Sequence, residues 1–169
     1  IKPGAAAKEK TRSFLSGLKS QIVDGGSSFS DIAKAHSLDP SKNNGGELGW
    51  VKRGSLVKSF ETTAFTIELG EISDPIETEF GYHILETLEK QGDKIRVRHV
   101  LMSPEITKDD NERAYNLAFS IKDSATTLDE FKELVKKYSS DKTTIDIGGD
   151  LGWIDPTNYA VPEIGQAIK

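Results

Sequence analysis

The 169-residue chain has no cysteine, a single methionine and three histidines. Without cysteine there is no thiol catalysis, no disulfide and no thiolate-bound zinc. No apolar run approaches the roughly 18–20 residues that a membrane span needs. The 22 Lys and Arg are outnumbered by 27 Asp and Glu, leave a net charge of −5, and are scattered rather than clustered. Binding to nucleic acid or to an anionic membrane surface is therefore not expected. The first residue is not Met and no signal peptide opens the chain, so the sequence reads as a trimmed piece of something longer. Seven Phe, four Tyr and two Trp, with a good supply of Ile, Leu and Val, argue against disorder. The length suits one ordinary domain or two small ones.

What is present is a repeat. Residues 45–50 read GGELGW and residues 148–153 read GGDLGW. At an offset of 102, FSDIAKAHSLD (29–39) falls on FKELVKKYSSD (131–141), with Phe, Ser and Asp in the same places. One added residue then brings the glycine motifs into line. Upstream, IKPG (1–4) lies on MSPE (102–105). The chain thus holds two copies of one unit, the first without its start and the second without its end. The boundary is expected in the polar link KQGDK (90–94), giving domains 1–92 and 93–169.

Local patterns suggest the unit's elements. VRHVLMS (97–103) is short, apolar and β-branched, as a strand should be. Thr107 and Asp110 resemble a capping box ahead of a helix whose stripe is Ala114, Leu117, Ala118 and Ile121. The matching helix of the first copy carries Phe14, Leu15, Leu18 and Ile22, and DGG (24–26) suits its C-cap. A second short helix covers Phe29–Ala35, with Phe131–Tyr138 as its counterpart. GGELGWV reads as a strand entered through a glycine turn. SFETTAF (59–65) reads as a helix with Phe60, Ala64 and Phe65 inward. ISDPIET (72–78) reads as an edge strand with a proline, and GYHILETLE (81–89) as the closing strand. The order is β-α-α-β-α-β-β, an α+β unit with a small sheet of about four strands.

The stretches FSDIAKAHSLD, GGELGWVKRGSLVKSFETTAF and LGEISDPIETEFGYHIL, with HVL opening a strand, resemble the parvulin-type peptidyl-prolyl cis-trans isomerase (rotamase) family in residues and spacing. The resemblance covers nearly the whole chain and implies a parvulin-like antiparallel sheet surrounded by helices. It also implies isomerisation of X–Pro bonds, a reaction that breaks no bond and needs no metal, cofactor or nucleophile. The requirement is an apolar cup for the proline ring beside a polar, partly desolvated patch that stabilises the twisted amide.

By the family pattern, Leu48, Leu56 and Phe60 form the proline cup, with Leu56 where the family often has Met. Phe80 closes a wall. His83 in GYHIL lies on the sheet floor, Thr78 hydrogen-bonds beside it, and Asp39 acts electrostatically where the family has Cys or Asp. A second family histidine belongs to the opening strand. In the first copy it falls before Ile1; in the second it is His99. The second copy keeps Asp141 and Leu151, but Ala160 and Ile164 stand at the Leu56 and Phe60 positions, so this copy is expected to be weakly active or inactive. Because residues 95–103 follow the closing strand after a short link, they can form a hairpin with it. That would complete the first sheet and bring His99 beside His83. A strand swap between chains would satisfy the same edge.

The residues alone leave blander readings open. His83 could be a core histidine with a satisfied hydrogen bond, and Asp39-Pro40 could be only a turn starter. Trp50 and Trp153 read as packing anchors. Two functions stand side by side: an X–Pro isomerase with chaperone activity, and a non-catalytic clamp that uses the same groove to hold extended segments. The resemblance implies unfolded or proline-containing polypeptides as partners, outer-membrane or secreted proteins among them, and a periplasmic or otherwise exported location.

Overall fold

A computed structural model describes residues 1–167 and divides the chain into two compact units, Ile1–Asn111 and Glu112–Lys169. The first unit contains helices α1 (Ala5–Val23), α2 (Phe29–His36) and α3 (Lys58–Thr66) and strands β1 (Glu47–Lys52), β2 (Ile76–Thr78), β3 (Gly81–Gln91) and β4 (Lys94–Met102). The strands form one antiparallel sheet in the order β1-β4-β3-β2. The architecture is α+β, with β4 supplied from beyond the Gly92-Asp93 link. A two-residue loop with glycine first suits a tight hairpin, and Gly92 has φ of 58°. The compact unit therefore extends past residue 92, where the sequence reading placed its boundary. The physical reason is burial: Ile95, Val97 and Val100 of β4 are fully buried, and β1 has no other strand to pair with.

Alternation along the central strands sorts side chains onto two faces. Tyr82, Ile84 and Val100 meet Leu15 and Leu18 of α1 and Phe29, Ile32 and Ala33 of α2. Leu85, Ile95 and Val97 meet Phe60 and Ala64 of α3 on the other face. The α1 stripe is narrower than its sequence suggests: Phe14 is exposed and lies edge-on against His36. Only 76–78 of the expected edge strand 72–78 is continuous, because Pro75 has no N–H to give. Ile72 still makes an isolated bridge to Glu86.

Helix α4 (Lys108–Ser124) begins in the first unit, capped by reciprocal hydrogen bonds between Thr107 and Asp110. The second unit adds α5 (Leu128–Tyr138), which starts with a full capping box of Thr127 and Glu130, a 3₁₀ turn at Ile145–Ile147, and α6 (Pro162–Ala167). Among its described residues none is buried. Phe131 of α5 is exposed where its counterpart Phe29 is buried, because no strand among this unit's described residues covers it. Trp153 is fully exposed and Trp50 is half exposed, so neither is the packing anchor that the sequence suggests.

Candidate functional site

Four segments bring polar groups together on the α3 face of the sheet. In the β3–β4 register His83 is opposite Leu101 and His99 is opposite Leu85, so the two histidines are diagonal neighbours on one face. Both are about 4% exposed. Their rings stack at an interplanar angle of 15°, with Nδ1 atoms 3.1 Å apart. Thr78, at the end of β2, places Oγ1 2.7 Å from His83 Nε2. At the other end, Asp39 Oδ1 lies 3.4 Å from His99 Nε2, which has no hydrogen-bond partner among the described residues.

Asp39 is held there by local structure. It is the N-cap of the 3₁₀ helix Pro40–Asn44, its Oδ1 accepting the Ser41 N–H at 2.8 Å, and Pro40 suits the first helical position. The turn starter and the site residue are thus one group. Ser37, buried at 2% exposure, ties this loop to β4 by accepting the N–H groups of Leu101 and Asp39. Sequence reasoning gave Ser37 no role. The His99 N–H in turn donates to the Gly46 carbonyl at 2.9 Å. Gly46 allows this approach because it has φ of 83° and no Cβ; a Cβ would sit 2.3 Å from the His99 carbonyl oxygen.

The network assigns the protons. Two facing Nδ1 atoms share one hydrogen, and a bare His99 Nε2 lone pair would repel the Asp39 carboxylate. His99 therefore carries its proton on Nε2, toward Asp39. His83 donates from Nδ1 to His99 and accepts the Thr78 hydroxyl at Nε2. Burial pushes His83 down to about 4, and the neighbouring His99 adds to this against the opposing pull of Asp39. Burial also lowers His99, more than the Asp39 charge raises it. Partial burial raises the Asp39 carboxyl, but Ser41 and then His99 outweigh it and keep the group below its ordinary range. At neutral pH the pair is uncharged and Asp39 is ionised.

Above this floor lies a cavity of about 420 Å³ lined by Asp39, Leu48, Leu56, Phe60, Phe80, His83 and His99, with Ser55, Val57 and Leu101. Every sequence-predicted residue lines it except Thr78, which reaches the site through His83. Phe60 is buried and sets its ring edge-on to both histidines at 5.3 and 5.4 Å. Phe80 is 60% exposed, an open wall rather than a closed one. Leu101 was missed, although it lies two residues from His99 and shares its face of β4. Ser55 and Val57 flank Leu56 in the loop before α3 and carry no signal of their own.

In the second unit Asp141 is exposed, and its carboxylate accepts hydrogen bonds from Thr143 and Thr144. That unit contains no histidine.

The fold and site define a small α+β domain that presents a neutral, hydrogen-bonded histidine pair beneath an apolar cavity. The PPIC-type PPIase domain matches residues 1–89, and a second form of the same domain matches residues 85–168. The chain therefore belongs to the PPIC-type PPIase family, the parvulin-type rotamases, with two such domains in tandem. It is similar to Chaperone SurA of Pseudomonas fluorescens, 37% identical over 149 residues covering 85% of this chain and 34% of the relative. Chaperone SurA of Idiomarina loihiensis is 30% identical over 169 residues, covering 96% of this chain and 38% of the relative. A solved structure of the peptidylprolyl isomerase PrsA from Bacillus cereus is similar at 28% identity and a TM-score of 0.41, over 80% of this chain and 50% of its own. The chain spans between 34% and 38% of the length of the two curated relatives described.

Proposed function

We propose that the first unit isomerises X–Pro bonds of unfolded polypeptides, with His83, His99, Asp39 and Thr78 as the polar floor and Leu48, Leu56, Phe60 and Phe80 as the substrate walls. The reading rests above all on the chain of four side chains, Thr78–His83–His99–Asp39, lying under an apolar cavity. The uncatalysed reaction crosses a barrier of about 20 kcal/mol because the amide must lose resonance as it twists. The cavity takes the prolyl ring out of water against Leu48, Leu56 and Phe60. The twisted nitrogen then gains a lone pair and the carbonyl loses conjugation. A dry floor of oriented dipoles favours that state over the planar one without having to reorganise. No proton need leave the network, which suits a pair that is neutral at the working pH.

In the second copy Ala160 and Ile164 stand at the positions of Leu56 and Phe60, and a loop without that proline cup fits client holding better than catalysis. This matches the printed name of the relatives, Chaperone SurA. An exported, periplasmic setting follows from the same family reading.

The test is an X–Pro peptide isomerisation assay on the chain, beside His83→Ala and Phe60→Ala. Loss of turnover in both folded variants supports the reading. Peptide binding without turnover in the parent would replace it with the clamp.

A further inference from the structure

The three residues of the proline cup are not held alike. Leu48 stands on β1 and Phe60 on α3, but Leu56 belongs to the connection between them, residues 53–57, and its neighbours Ser55 and Val57 line the cavity with it. A loose connection would leave this wall free to move, and ordering it on binding would cost conformational entropy. Its first half is fixed by backbone. The Arg53 N–H donates to the Asp93 carbonyl at 2.9 Å and the Ser55 N–H to the Lys52 carbonyl at 3.2 Å, with Gly54 turning the chain at a φ of 87°. The Arg53 guanidinium also lies 3.9 Å from the centre of the Phe65 ring on α3. Its second half is tied down by a side chain. Glu61, in the first turn of α3, reaches back to the connection, where Oε2 accepts the Gly54 N–H at 2.6 Å and the Leu56 N–H at 3.4 Å. The N-cap of α3 is Val57, which offers no side-chain cap, and the carboxylate lies at the favourable, positive end of the helix dipole.

We propose that Glu61 is a positioning residue for substrate binding: by holding the Gly54 and Leu56 amides, its carboxylate sets Leu56 in place as a wall of the proline cup before the prolyl ring arrives. Glu61 does not itself line the cavity. It acts through Leu56, and so on the apolar wall and not on the polar floor of Thr78, His83, His99 and Asp39. Its effect therefore belongs to affinity and KM, with the twisting step left to the floor. The same helix supplies both the Phe60 ring and the clamp on Leu56, so the two walls keep a fixed spacing. The inference rests on the isomerase reading for its substrate class, but the clamp can be measured without turnover.

The experiment measures kcat, KM and equilibrium affinity for one X–Pro peptide. It compares the parent with Glu61→Ala, Glu61→Gln, Leu56→Ala and the double variant of Leu56→Ala and Glu61→Ala, and thermal unfolding checks that each folds. Glu61→Ala is expected to weaken binding and raise KM by about fivefold, a factor that corresponds to about 1 kcal/mol, while kcat changes by less than about twofold. Glu61→Gln loses the charge but keeps an acceptor oxygen, so it should recover most of the affinity; a direct effect of the Glu61 charge on the peptide would not recover. In the Leu56→Ala background the second substitution should cost almost nothing, because the clamp has no wall left to hold. Amide hydrogen exchange at Leu56 should speed up in Glu61→Ala. Unchanged affinity or unchanged Leu56 exchange in Glu61→Ala, penalties that add in full, or a loss confined to kcat overturns the inference while leaving the isomerase reading intact. The expected pattern in binding with no turnover of the peptide supports the inference and overturns the isomerase reading instead. A parent that neither binds nor turns over the peptide overturns both.

Discussion

Acidification is the perturbation whose size the site itself sets. His83 titrates near 6.5 in an unfolded chain and at about 4 in the folded one, where burial and the neighbouring His99 disfavour its charged form. Between these values the unfolded state binds a proton that the folded state refuses, so stability is full above pH 6.5 and is lost as the pH falls toward 4. Each pH unit of that window is worth up to about 1.4 kcal/mol, and lowering the pH from 7 to about 4 removes about 3 kcal/mol through this residue. His99, lowered by the same burial, acts in the same direction. For a domain of ordinary stability, about 5–15 kcal/mol, this is a large share. Carboxylates held low, such as Glu9, Glu77 and Asp39, lose their own contributions mainly at lower pH and are common to parent and variant. The assay is urea unfolding of the parent and of His83→Gln across this range, followed as the difference between the two curves. The parent should lose stability more steeply, by the equivalent of about one proton, and NMR should find the His83 ring neutral at pH 5. Parallel curves, or a His83 ring that titrates near 6.5, would refute the reasoning.

Three further outcomes are expected. Gly46→Ala should destabilise by about 2–3 kcal/mol or more in thermal unfolding, since its Cβ would meet the His99 carbonyl at 2.3 Å; Gly49→Ala, with φ of 73° and open space around it, should cost only about 1 kcal/mol of backbone strain. A chain ending at residue 92 should fail to give a dispersed NMR spectrum, whereas one ending at 111 should fold. The buried side chains of Ile95, Val97 and Val100 contribute about 1.5–3 kcal/mol each, together as much as a domain's whole margin. Thr78→Val should lower kcat far more than it raises KM in the peptide assay. It removes the 2.7 Å bond to His83 Nε2 and leaves the apolar walls in place, and the unpaired buried nitrogen should cost about 1–3 kcal/mol of stability.

Much of the first unit could be read from the sequence because local signals and tertiary burial agree there. The glycine pair before Leu48, the alternation through His83 and Leu85 and the inward Phe60 of α3 each specify a face, and the structure places each on that face. The residues that meet at the cavity were legible where a side chain has distinctive chemistry, as for Asp39, His83 and His99. A hydroxyl that merely holds the neighbouring loop was not legible. Ser37 looks like any helix-terminal serine until Leu101 is seen donating to it. Partnership across the sheet was harder, since pairing depends on which strand fills a gap and not on any one strand's pattern. The second unit shows the same limit from the other side. The periodicity of α5 correctly marks an apolar stripe at Phe131, Leu134 and Val135, but periodicity cannot say whether anything covers it.

The place of β4 between β1 and β3 also sets a clock on synthesis. β1 is complete at Lys52, yet the strand that pairs with it begins at Lys94. At about 5–20 residues per second, a ribosome takes roughly 2–8 s to make the residues between them. During that interval Leu48 and Val51 have no sheet beneath them, and Phe60 and Ala64 of α3 lack Ile95 and Val97. The hairpin can then close within microseconds of its emergence, so the delay belongs to translation and not to folding. While it lasts, the nascent chain exposes the very side chains that the finished sheet takes out of water.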